Sequence, residues 1–240
     1  MYCRRTLKNT ALLMLLALSI QQRTAMAEVE FGGDVTITTD YMFRGVSQTM
    51  SAPAFQGTID FETDSGWYGN LWASNVDFTP AGMDSDGANT EINVEAGYYF
   101  GVSEHVAASI GWIYYAFPGT LPDYDYDYGE WLASLAVDER HHLDLGFSDN
   151  VFGSGEPGTY VGVSTGFDAT AQIYIDIVSG FYDLERAYGQ SYQYAEFAAS
   201  GQLEHLSWRL AYFITGGGDT ELFDRSTVGE RLVLTFSIPF

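Results

Sequence analysis

The chain has 240 residues, of which 46% are hydrophobic and 16% aromatic, and its formal net charge at pH 7 is −22. This acidic excess excludes nucleic acid as a partner, because too few basic residues are present to neutralise phosphates. The aromatic content argues against a disordered chain, which lacks the apolar side chains needed to form a core.

The first 27 residues predict a secretory signal peptide. Arg4, Arg5 and Lys8 precede a run of ten mostly apolar residues from Ala11 to Ile20, and Ala25-Met26-Ala27 is a small-x-small cleavage motif. The alternative is an N-terminal membrane anchor, but an apolar run of that length falls short of the ~20 residues that cross a bilayer. We therefore expect export and cleavage after Ala27.

Cleavage changes the composition of the chain. Residues 28–240 remain, enough for one domain. Four of the ten basic residues lie in the signal, so six remain against 32 acidic residues, a formal charge of −26. Cys3 also leaves with the signal, so the mature chain has no thiol for a disulfide, a metal site or a nucleophile.

Alternation of apolar and polar residues predicts twelve β-strands. The first is the clearest and is predicted to run from Val29 through Phe43, with Tyr41 and Phe43 on its apolar face. The others are predicted at 54–62, 67–77, 90–100, 105–116, 128–138, 142–150, 159–167, 170–181, 191–200, 205–214 and 228–240. Tilted strands of ~10 residues span nearly the ~25 Å apolar band of an outer-membrane barrel.

The predicted connectors alternate between short and long. Short turns follow every second strand, as at Asp64-Ser65-Gly66, and longer loops such as 44–53 and 215–227 follow the others. This rhythm is typical of short periplasmic turns and longer extracellular loops. The sequence therefore predicts an all-β fold, a closed antiparallel transmembrane β-barrel of 12 strands; a soluble β-sandwich, the alternative, gives no reason for the rhythm.

The last predicted strand resembles the closing strand of bacterial outer-membrane barrels. Its apolar face alternates with Arg231, Val233, Thr235 and Ser237, and carries Leu232, Leu234, Phe236, Ile238 and Phe240. In those barrels the final aromatic residue is part of the signal that the insertion machinery reads. The resemblance implies two partners, outer-membrane lipid and the barrel-insertion machinery, the latter through Phe240.

Four motifs of the mature chain point to a family. They are Asp40–Gln48 (DYMFRGVSQ), Pro53–Gly57 (PAFQG), Gly66–Tyr68 (GWY) and Trp72–Asp77 (WASNVD). Together they resemble the TorF family of porin-like outer-membrane proteins of proteobacteria, most strongly over 29–119. The resemblance implies a barrel in the outer membrane and does not identify a solute.

The polar face of the predicted strands is acidic. The side chains expected to line the interior are Glu30, Asp34, Asp40, Asp60, Glu91, Glu95, Glu130, Asp144, Asp176 and Glu196, with Arg44, Arg209 and Arg231 as the inward bases. In a water-filled lumen such a wall raises the local concentration of cations and lowers that of anions. We expect a porin-like channel for passive diffusion of small hydrophilic solutes that favours cations.

The alternative is a closed lumen in which the acids pair with the arginines. The barrel would then be structural or adhesive and act through its extracellular loops. Arg44, at the mouth of the first strand, is open to both interpretations. It could form a charged constriction or a loop latch with Gln48, Gln56 or Asp60, or a structural salt bridge or hydrogen bond that fixes the first loop.

Two further features have alternative interpretations. The run Asp123–Tyr128 alternates carboxylates and tyrosines, which suits either Ca²⁺ ligation or the extension of two strands above the membrane. The aromatic residues near strand ends suit interfacial girdles or, if they face the lumen, a sugar-stacking channel. They are Trp67, Tyr68, Tyr98, Tyr99, Phe100, Trp112, Tyr114, Tyr115, Trp131, Trp208 and Tyr212.

Catalysis is not expected. The four histidines, His105, His141, His142 and His205, all fall in predicted periplasmic turns. None lies near a strand serine, so a lipase-like triad has no obvious members. The sequence contains no zinc motif and no phosphate-binding glycine loop, and we expect no metal and no cofactor.

Overall fold

The computed structural model describes residues 29–79, 84–122, 124–216 and 227–240. The predicted signal peptide, 1–27, and its cleavage site lie outside the described residues. In the described ranges, no helix has the length and apolar character needed to cross a bilayer.

Twelve antiparallel strands form a closed barrel, which confirms the predicted fold class. The strands are β1 (Val29–Thr38), β4 (Ala54–Thr63), β5 (Trp67–Asn75), β6 (Thr90–Ser103), β7 (Val106–Ala116), β8 (Tyr128–Val137), β9 (His141–Ser148), β10 (Gly158–Asp168), β11 (Ile173–Asp183), β12 (Tyr192–Leu203), β13 (Leu206–Gly216) and β14 (Glu230–Pro239). Each pairs with the next barrel strand along the chain, and β14 pairs with β1. The short strands β2 (Met42–Phe43) and β3 (Val46–Ser47) pair only with each other.

The first and last strands close the ring. Their register runs from Asp34 opposite Pro239 to Thr38 opposite Thr235. Beyond Pro239, the Phe240 amide donates a hydrogen bond to the Gly33 carbonyl at 3.0 Å. Closure leaves the barrel without a free edge, so its backbone groups are paired within the protein, as hydrocarbon surroundings require.

The outer face of the barrel is apolar. Phe31, on β1, is 77% exposed. Other large apolar side chains exposed on the wall include Val35, Phe55, Ile59, Leu71, Val94, Ile110, Trp131, Val163, Phe197, Leu210 and Leu232. Exposed apolar area of this extent is unfavourable in water and suits contact with lipid.

The connectors divide the barrel into two ends. At one end, which we call the short-turn end, the turns are 64–66, 104–105, 138–140, 169–172 and 204–205. At the other, the long-loop end, the connectors are 39–53, 76–89, 117–127, 149–157, 184–191 and 217–229. The long loops include a single 3₁₀ turn (Val151–Gly153) and one short helix, α1 (Glu185–Tyr188), within the described ranges. The predicted alternation of short and long connectors is therefore confirmed.

Two predictions about strand ends were wrong. The first strand ends at Thr38 and does not continue through Tyr41 and Phe43. Instead β2 and β3 form a hairpin with a two-residue turn, in which Arg44 (φ 48°) and Gly45 (φ 82°) both have positive φ, as a type I′ turn requires. The described residues of the third long loop, 117–122 and 124–127, form no strand, so β7 and β8 do not extend above the barrel as predicted.

Candidate functional site in the barrel interior

The hairpin Met42–Ser47 leaves the barrel wall and enters the interior. At its tip, the Gly45 carbonyl accepts a hydrogen bond of 2.5 Å from Thr215 Oγ1 on β13. A Cβ atom on Gly45 would lie 2.5 Å from the Cβ of Tyr194 on β12. This approach is closer than two carbon side chains tolerate, so the seating of the tip depends on glycine.

Asp40 holds the base of the hairpin. Its Oδ1 accepts hydrogen bonds from the hydroxyls of Ser47 at 2.6 Å and Thr49 at 3.0 Å. The Thr38 hydroxyl donates to the Asp40 carbonyl at 2.8 Å. The second carboxylate oxygen, Oδ2, is buried and has no hydrogen-bond partner among the described residues. Burial raises the pKa of Asp40 above the usual value of an aspartate, although the hydroxyl donors oppose that shift.

Arg44 forms a buried salt bridge with Glu130 of β8. Its Nη1 and Nη2 donate to Oε1 and Oε2 of Glu130 at 2.8 and 2.7 Å, a bidentate arrangement. The Glu130 side chain is fully buried, and that of Arg44 is 10% exposed. Tyr115 adds a third hydrogen bond to Glu130 Oε2 at 3.2 Å. The structural alternative for Arg44 is therefore the one observed, but the predicted partners were wrong: Gln48, Gln56 and Asp60 are not the residues it binds.

Aromatic rings surround the Arg44 guanidinium. Its central carbon lies 4.0 Å from the ring centre of Tyr160, 4.6 Å from Tyr182 and 4.9 Å from Phe43. These distances are those of cation–π contacts, which strengthen when water is excluded. We call Phe43, Tyr160 and Tyr182 the aromatic cage. The Tyr160 and Tyr194 hydroxyls are hydrogen-bonded at 2.8 Å, which fixes the Tyr160 ring.

The interior near the long-loop end is tightly packed, and we call this part of the barrel the packed half. The side chains buried there form one cluster that includes Val46, Tyr115, Phe117, Tyr128, Val151, Tyr182, Leu184 and Tyr192. Two predicted interior acids also lie in this half, Glu130 and Glu91. Glu91 is buried and accepts from Asn93 Nδ2 at 2.8 Å and the Tyr41 hydroxyl at 3.3 Å.

The interior near the short-turn end is acidic and reached by solvent, and we call it the acidic half. Glu30 and Glu62 lie directly opposite each other on β1 and β4, and Asp60 and Asp34 are nearby on the same two strands. In the described part of the chain, none of these four carboxylates takes part in a salt bridge. Asp34 accepts from the Thr36 hydroxyl at 2.6 Å. The sequence analysis did not identify Glu62 as an interior residue, although it lies two residues after Asp60 and therefore on the same face of β4.

Arg209 on β13 is the arginine of the acidic half, and it binds two carboxylates. Nη1 and Nη2 donate to Oδ1 and Oδ2 of Asp176, each at 2.7 Å, and Nη2 also donates to Glu196. The group of three therefore carries a net negative charge. Elsewhere in the interior, Asp144 accepts from the Ser134 hydroxyl and Glu95 from the Asn70 amide.

Every predicted interior residue that lies on a strand occupies an inward-facing position of that strand. Glu30 is one of them, although it is exposed at the short-turn end. Asp40 and Arg44 belong to the first loop. Arg231 lies near the long-loop end, where it donates to the Ser51 hydroxyl at 2.7 Å and to the Val228 carbonyl at 3.3 Å. The structure thus divides most of the predicted set between the packed half, the acidic half and the first loop, and Glu95 and Asp144 lie elsewhere in the interior.

The predicted aromatic girdle is corrected in part. Trp67, Trp112 and Trp131 are exposed on the outer face as expected, but Tyr68 and Tyr115 face the interior. Tyr99 faces the interior as well. Neighbouring residues of a strand point to opposite faces, so pairs such as Trp67 and Tyr68 cannot both belong to a girdle. That rule could have identified the inward tyrosines from the sequence.

The loop aspartates have partners within the protein. Asp86 accepts from the Tyr126 hydroxyl at 2.9 Å, and Asp127 accepts from the Phe117 amide at 2.7 Å. Asp123 lies outside the described residues. Among the residues that the structure describes, no three histidine, cysteine, aspartate or glutamate side chains are grouped to hold a metal ion.

Residues 22–228 match a family model described as "Bacterial protein of unknown function (Gcw_chp)". No curated protein matches the chain. Among solved structures, the chain is similar to the KdgM porin (TM-score 0.55, 8% identity, 87% of this chain and 99% of that one). It is also similar to the NanC porin (TM-score 0.54, 9% identity, 87% and 98%). An outer membrane channel from Pseudomonas putida F1 has a TM-score of 0.52, with 9% identity over 88% and 95% of the two chains. These identities are low, so the likeness concerns the barrel fold.

Proposed function

The chain belongs to the Gcw_chp family of bacterial proteins, and we propose that it is a porin-like channel of the bacterial outer membrane. The observation that carries the proposal is a closed ring of twelve strands with apolar side chains outside and carboxylates inside. Such a ring has a lipid-facing surface and a wall that water and small hydrophilic solutes can contact. The porin fold of its structural neighbours, the predicted signal peptide and the resemblance to the TorF family support the same proposal.

The proposed channel favours cations. In the acidic half, Glu30, Asp34, Asp60 and Glu62 have no salt-bridge partner among the described residues, and Arg209 is outnumbered by its two carboxylates. Low-dielectric walls concentrate the field of such groups within a narrow lumen. Cations and neutral solutes then enter more readily than anions of the same size.

The hairpin controls passage through the packed half. In the described conformation, Arg44 and Val46 lie among buried side chains of the opposite wall. Conduction therefore requires that the hairpin moves away from Glu130. We expect the wild-type barrel to open rarely, and variants that remove the Arg44–Glu130 salt bridge to open more often.

Planar lipid bilayers test the proposal. The mature wild-type barrel is compared with Arg44→Gln, which loses the charge of the hairpin tip, under a KCl gradient. We expect discrete conductance steps, more frequent in Arg44→Gln, and a reversal potential on the side of cation selectivity. Arg209→Gln in the same background should increase the cation preference, since it leaves Asp176 and Glu196 uncompensated. A preference for anions would contradict the proposed role of the carboxylates.

A second candidate function is a closed barrel that is structural or adhesive and acts through its long loops. The burial of the hairpin within the packed half favours this alternative. The same bilayers separate the two candidates: silence from both the wild type and Arg44→Gln, with folded barrel present in the membrane, supports the closed barrel.

We also propose that barrel insertion depends on Phe240. This residue is 71% exposed at the short-turn end, where its ring lies against Gly33 of β1. Accessible aromatic surface at this end is available to the insertion machinery. We expect Phe240→Ala to lower the amount of heat-modifiable barrel recovered from outer membranes, while its refolding in detergent stays close to that of the wild type. Equal recovery of the two proteins would contradict this role.

Finally, we propose that the barrel is not an enzyme. The four histidines lie in or beside the turns of the short-turn end. His105 is paired with Asp138 at 2.9 Å and His141 with the Thr165 hydroxyl at 2.8 Å, both on exposed surface. We expect no turnover of ester, peptide or glycoside substrates by the purified barrel, and activity that survives purification would contradict this proposal.

A further inference from the structure

The surroundings of Arg44 have the features of a ligand site. A guanidinium group is bound by a bidentate carboxylate at 2.8 and 2.7 Å, and two tyrosine rings of the wall lie 4.0 and 4.6 Å from its central carbon. Planar bidentate pairing and ring stacking are the two contacts that distinguish guanidinium from a simple ammonium group.

The groups that bind Arg44 belong almost entirely to the barrel wall. Tyr115, Glu130, Tyr160 and Tyr182 lie on or at the ends of β7, β8, β10 and β11, and only Phe43 comes with the hairpin. Hydrogen bonds within the wall hold this arrangement, between Tyr160 and Tyr194 and between Tyr115 and Glu130. If the hairpin leaves, these groups remain in place around a vacated position.

The vacated position would also carry an uncompensated charge. Glu130 is fully buried and its salt-bridge partner is Arg44, so removal of Arg44 exposes both carboxylate oxygens to the vacated space. The Tyr182 hydroxyl is buried, and the Tyr182 ring lies against the Arg44 guanidinium. A buried carboxylate next to a buried hydroxyl and aromatic faces favours a planar cation with several N–H donors.

We propose that Glu130, Tyr160 and Tyr182 form a binding site for guanidinium-bearing small solutes, and that Arg44 is the tethered competitor that occupies it. The proposed site rests on the proposed channel function, because it identifies the class of solute that would enter the channel. A solute that binds the site excludes Arg44 and so favours the conformation in which the hairpin has left the packed half.

The covalent attachment of Arg44 to the chain determines the solute concentration at which the hairpin is displaced. A group on a short loop competes at an effective concentration in the millimolar range or above. A solute must therefore be present at comparable concentration, or bind through additional contacts, to displace the hairpin. In Arg44→Gln the competitor is gone, and the site should bind the solute at lower concentration than in the wild type.

Chemical rescue tests the site without any need for conduction. The mature barrels of Arg44→Gln and of the double variant Arg44→Gln/Glu130→Gln are refolded in detergent, and their unfolding midpoints are followed by heat-modifiable gel migration. Methylguanidinium chloride at millimolar concentration is compared with equal sodium chloride. We expect a saturable rise in the midpoint of Arg44→Gln with methylguanidinium alone, and no such rise in the double variant.

A matched control and a second measurement complete the design. Arg186→Gln removes an exposed arginine whose contact with Glu156 is 3.7 Å, and we expect no rescue there. If Arg44→Gln does not refold, the wild type in bilayers replaces it: methylguanidinium should increase its opening frequency several-fold over sodium. In either system, no effect beyond that of sodium would overturn the site, and so would rescue that persists without Glu130.

The outcome is separable from that of the channel proposal. Rescue in detergent with silent bilayers would leave the site standing and overturn the channel. Conducting bilayers without rescue would leave the channel standing and overturn the site.

Discussion

The two halves of the barrel interior each contain an arginine bound by a bidentate carboxylate, yet the two arginine sites differ in charge balance. In the packed half, Arg44 and Glu130 cancel one to one, and aromatic rings cover them. In the acidic half, Arg209 faces two carboxylates, and further acids on β1 and β4 lack a salt-bridge partner among the described residues. A charge pair that cancels costs less free energy to bury than an uncompensated charge does. Glu91, also buried in the packed half, has the neutral donors Asn93 and Tyr41 in place of a counter-charge.

The comparison shows that the strands alone do not determine this difference. β8 contributes Glu130 to the packed half and Ser134, a donor to Asp144, nearer the short-turn end. What neutralises Glu130 is the hairpin, which brings the opposite charge of Arg44 to a wall that already carries buried tyrosines.

The largest expected effect separates the two arginine sites. Glu130→Ala leaves Arg44 buried without a counter-charge and should lower the free energy of unfolding by about 3–5 kcal/mol. Asp176→Ala should lower the free energy of unfolding by a smaller amount, about 1.5–3 kcal/mol, because Glu196 still binds Arg209. Urea unfolding in detergent measures both, and hydrogen exchange at the Ser47 and Gln48 amides should locate the first effect in the hairpin. Equal losses would show that Glu196 does not compensate Arg209 when Asp176 is removed.

The next effect tests the fit of the hairpin tip. Gly45→Ala places a side chain at φ 82° and against Tyr194, so we expect a loss of about 2–4 kcal/mol from the combined left-handed strain and overpacking. The control is Gly189→Ala in the loop after α1, at φ 72° with open space around it, for which about 1 kcal/mol is expected. If the two variants unfold alike in urea, then the tip is not seated on Tyr194.

A smaller effect concerns the base of the hairpin and depends on pH. Burial raises the pKa of Asp40, so the stability that this group contributes is fully present below the pKa of the unfolded state and is lost as pH rises through the folded value. Asp40→Asn keeps an acceptor for Ser47 and Thr49 but does not ionise. We therefore expect the stability of Asp40→Asn, relative to wild type, to be greater at pH 7 than below pH ~4. A difference that is independent of pH would contradict this role of Asp40.

The smallest effect lies in the acidic half. Glu30 and Glu62 are like charges on directly opposite residues, so Glu62→Gln should stabilise the barrel by about 0.2–1 kcal/mol. The gain should shrink in 1 M salt, where the screening length is only ~3 Å. Glu104→Gln, in an exposed turn of the same end, is the control and should change little. A loss of stability in Glu62→Gln would mean that this acid has a favourable partner.

The strands were predictable because each depends on local alternation. β8 was predicted at 128–138 and is observed at Tyr128–Val137. The hairpin was not predicted, because Tyr41 and Phe43 continue the period of β1, and a strand in the wall has the same period as one folded inward. The pair Arg44-Gly45 was a usable turn signal, since glycine commonly follows another residue with positive φ in a two-residue hairpin.

By itself, the sequence determined which side chains face lipid and which face the interior, since neighbours two residues apart on a strand share a face whatever the rest of the chain does. Only the tertiary structure decided which interior charges meet. Arg44 and Glu130 are 86 residues apart, and no local period relates them. Their contact exists because ring closure places β8 across the interior from the first loop, and because a buried arginine is stabilised by pairing with a carboxylate.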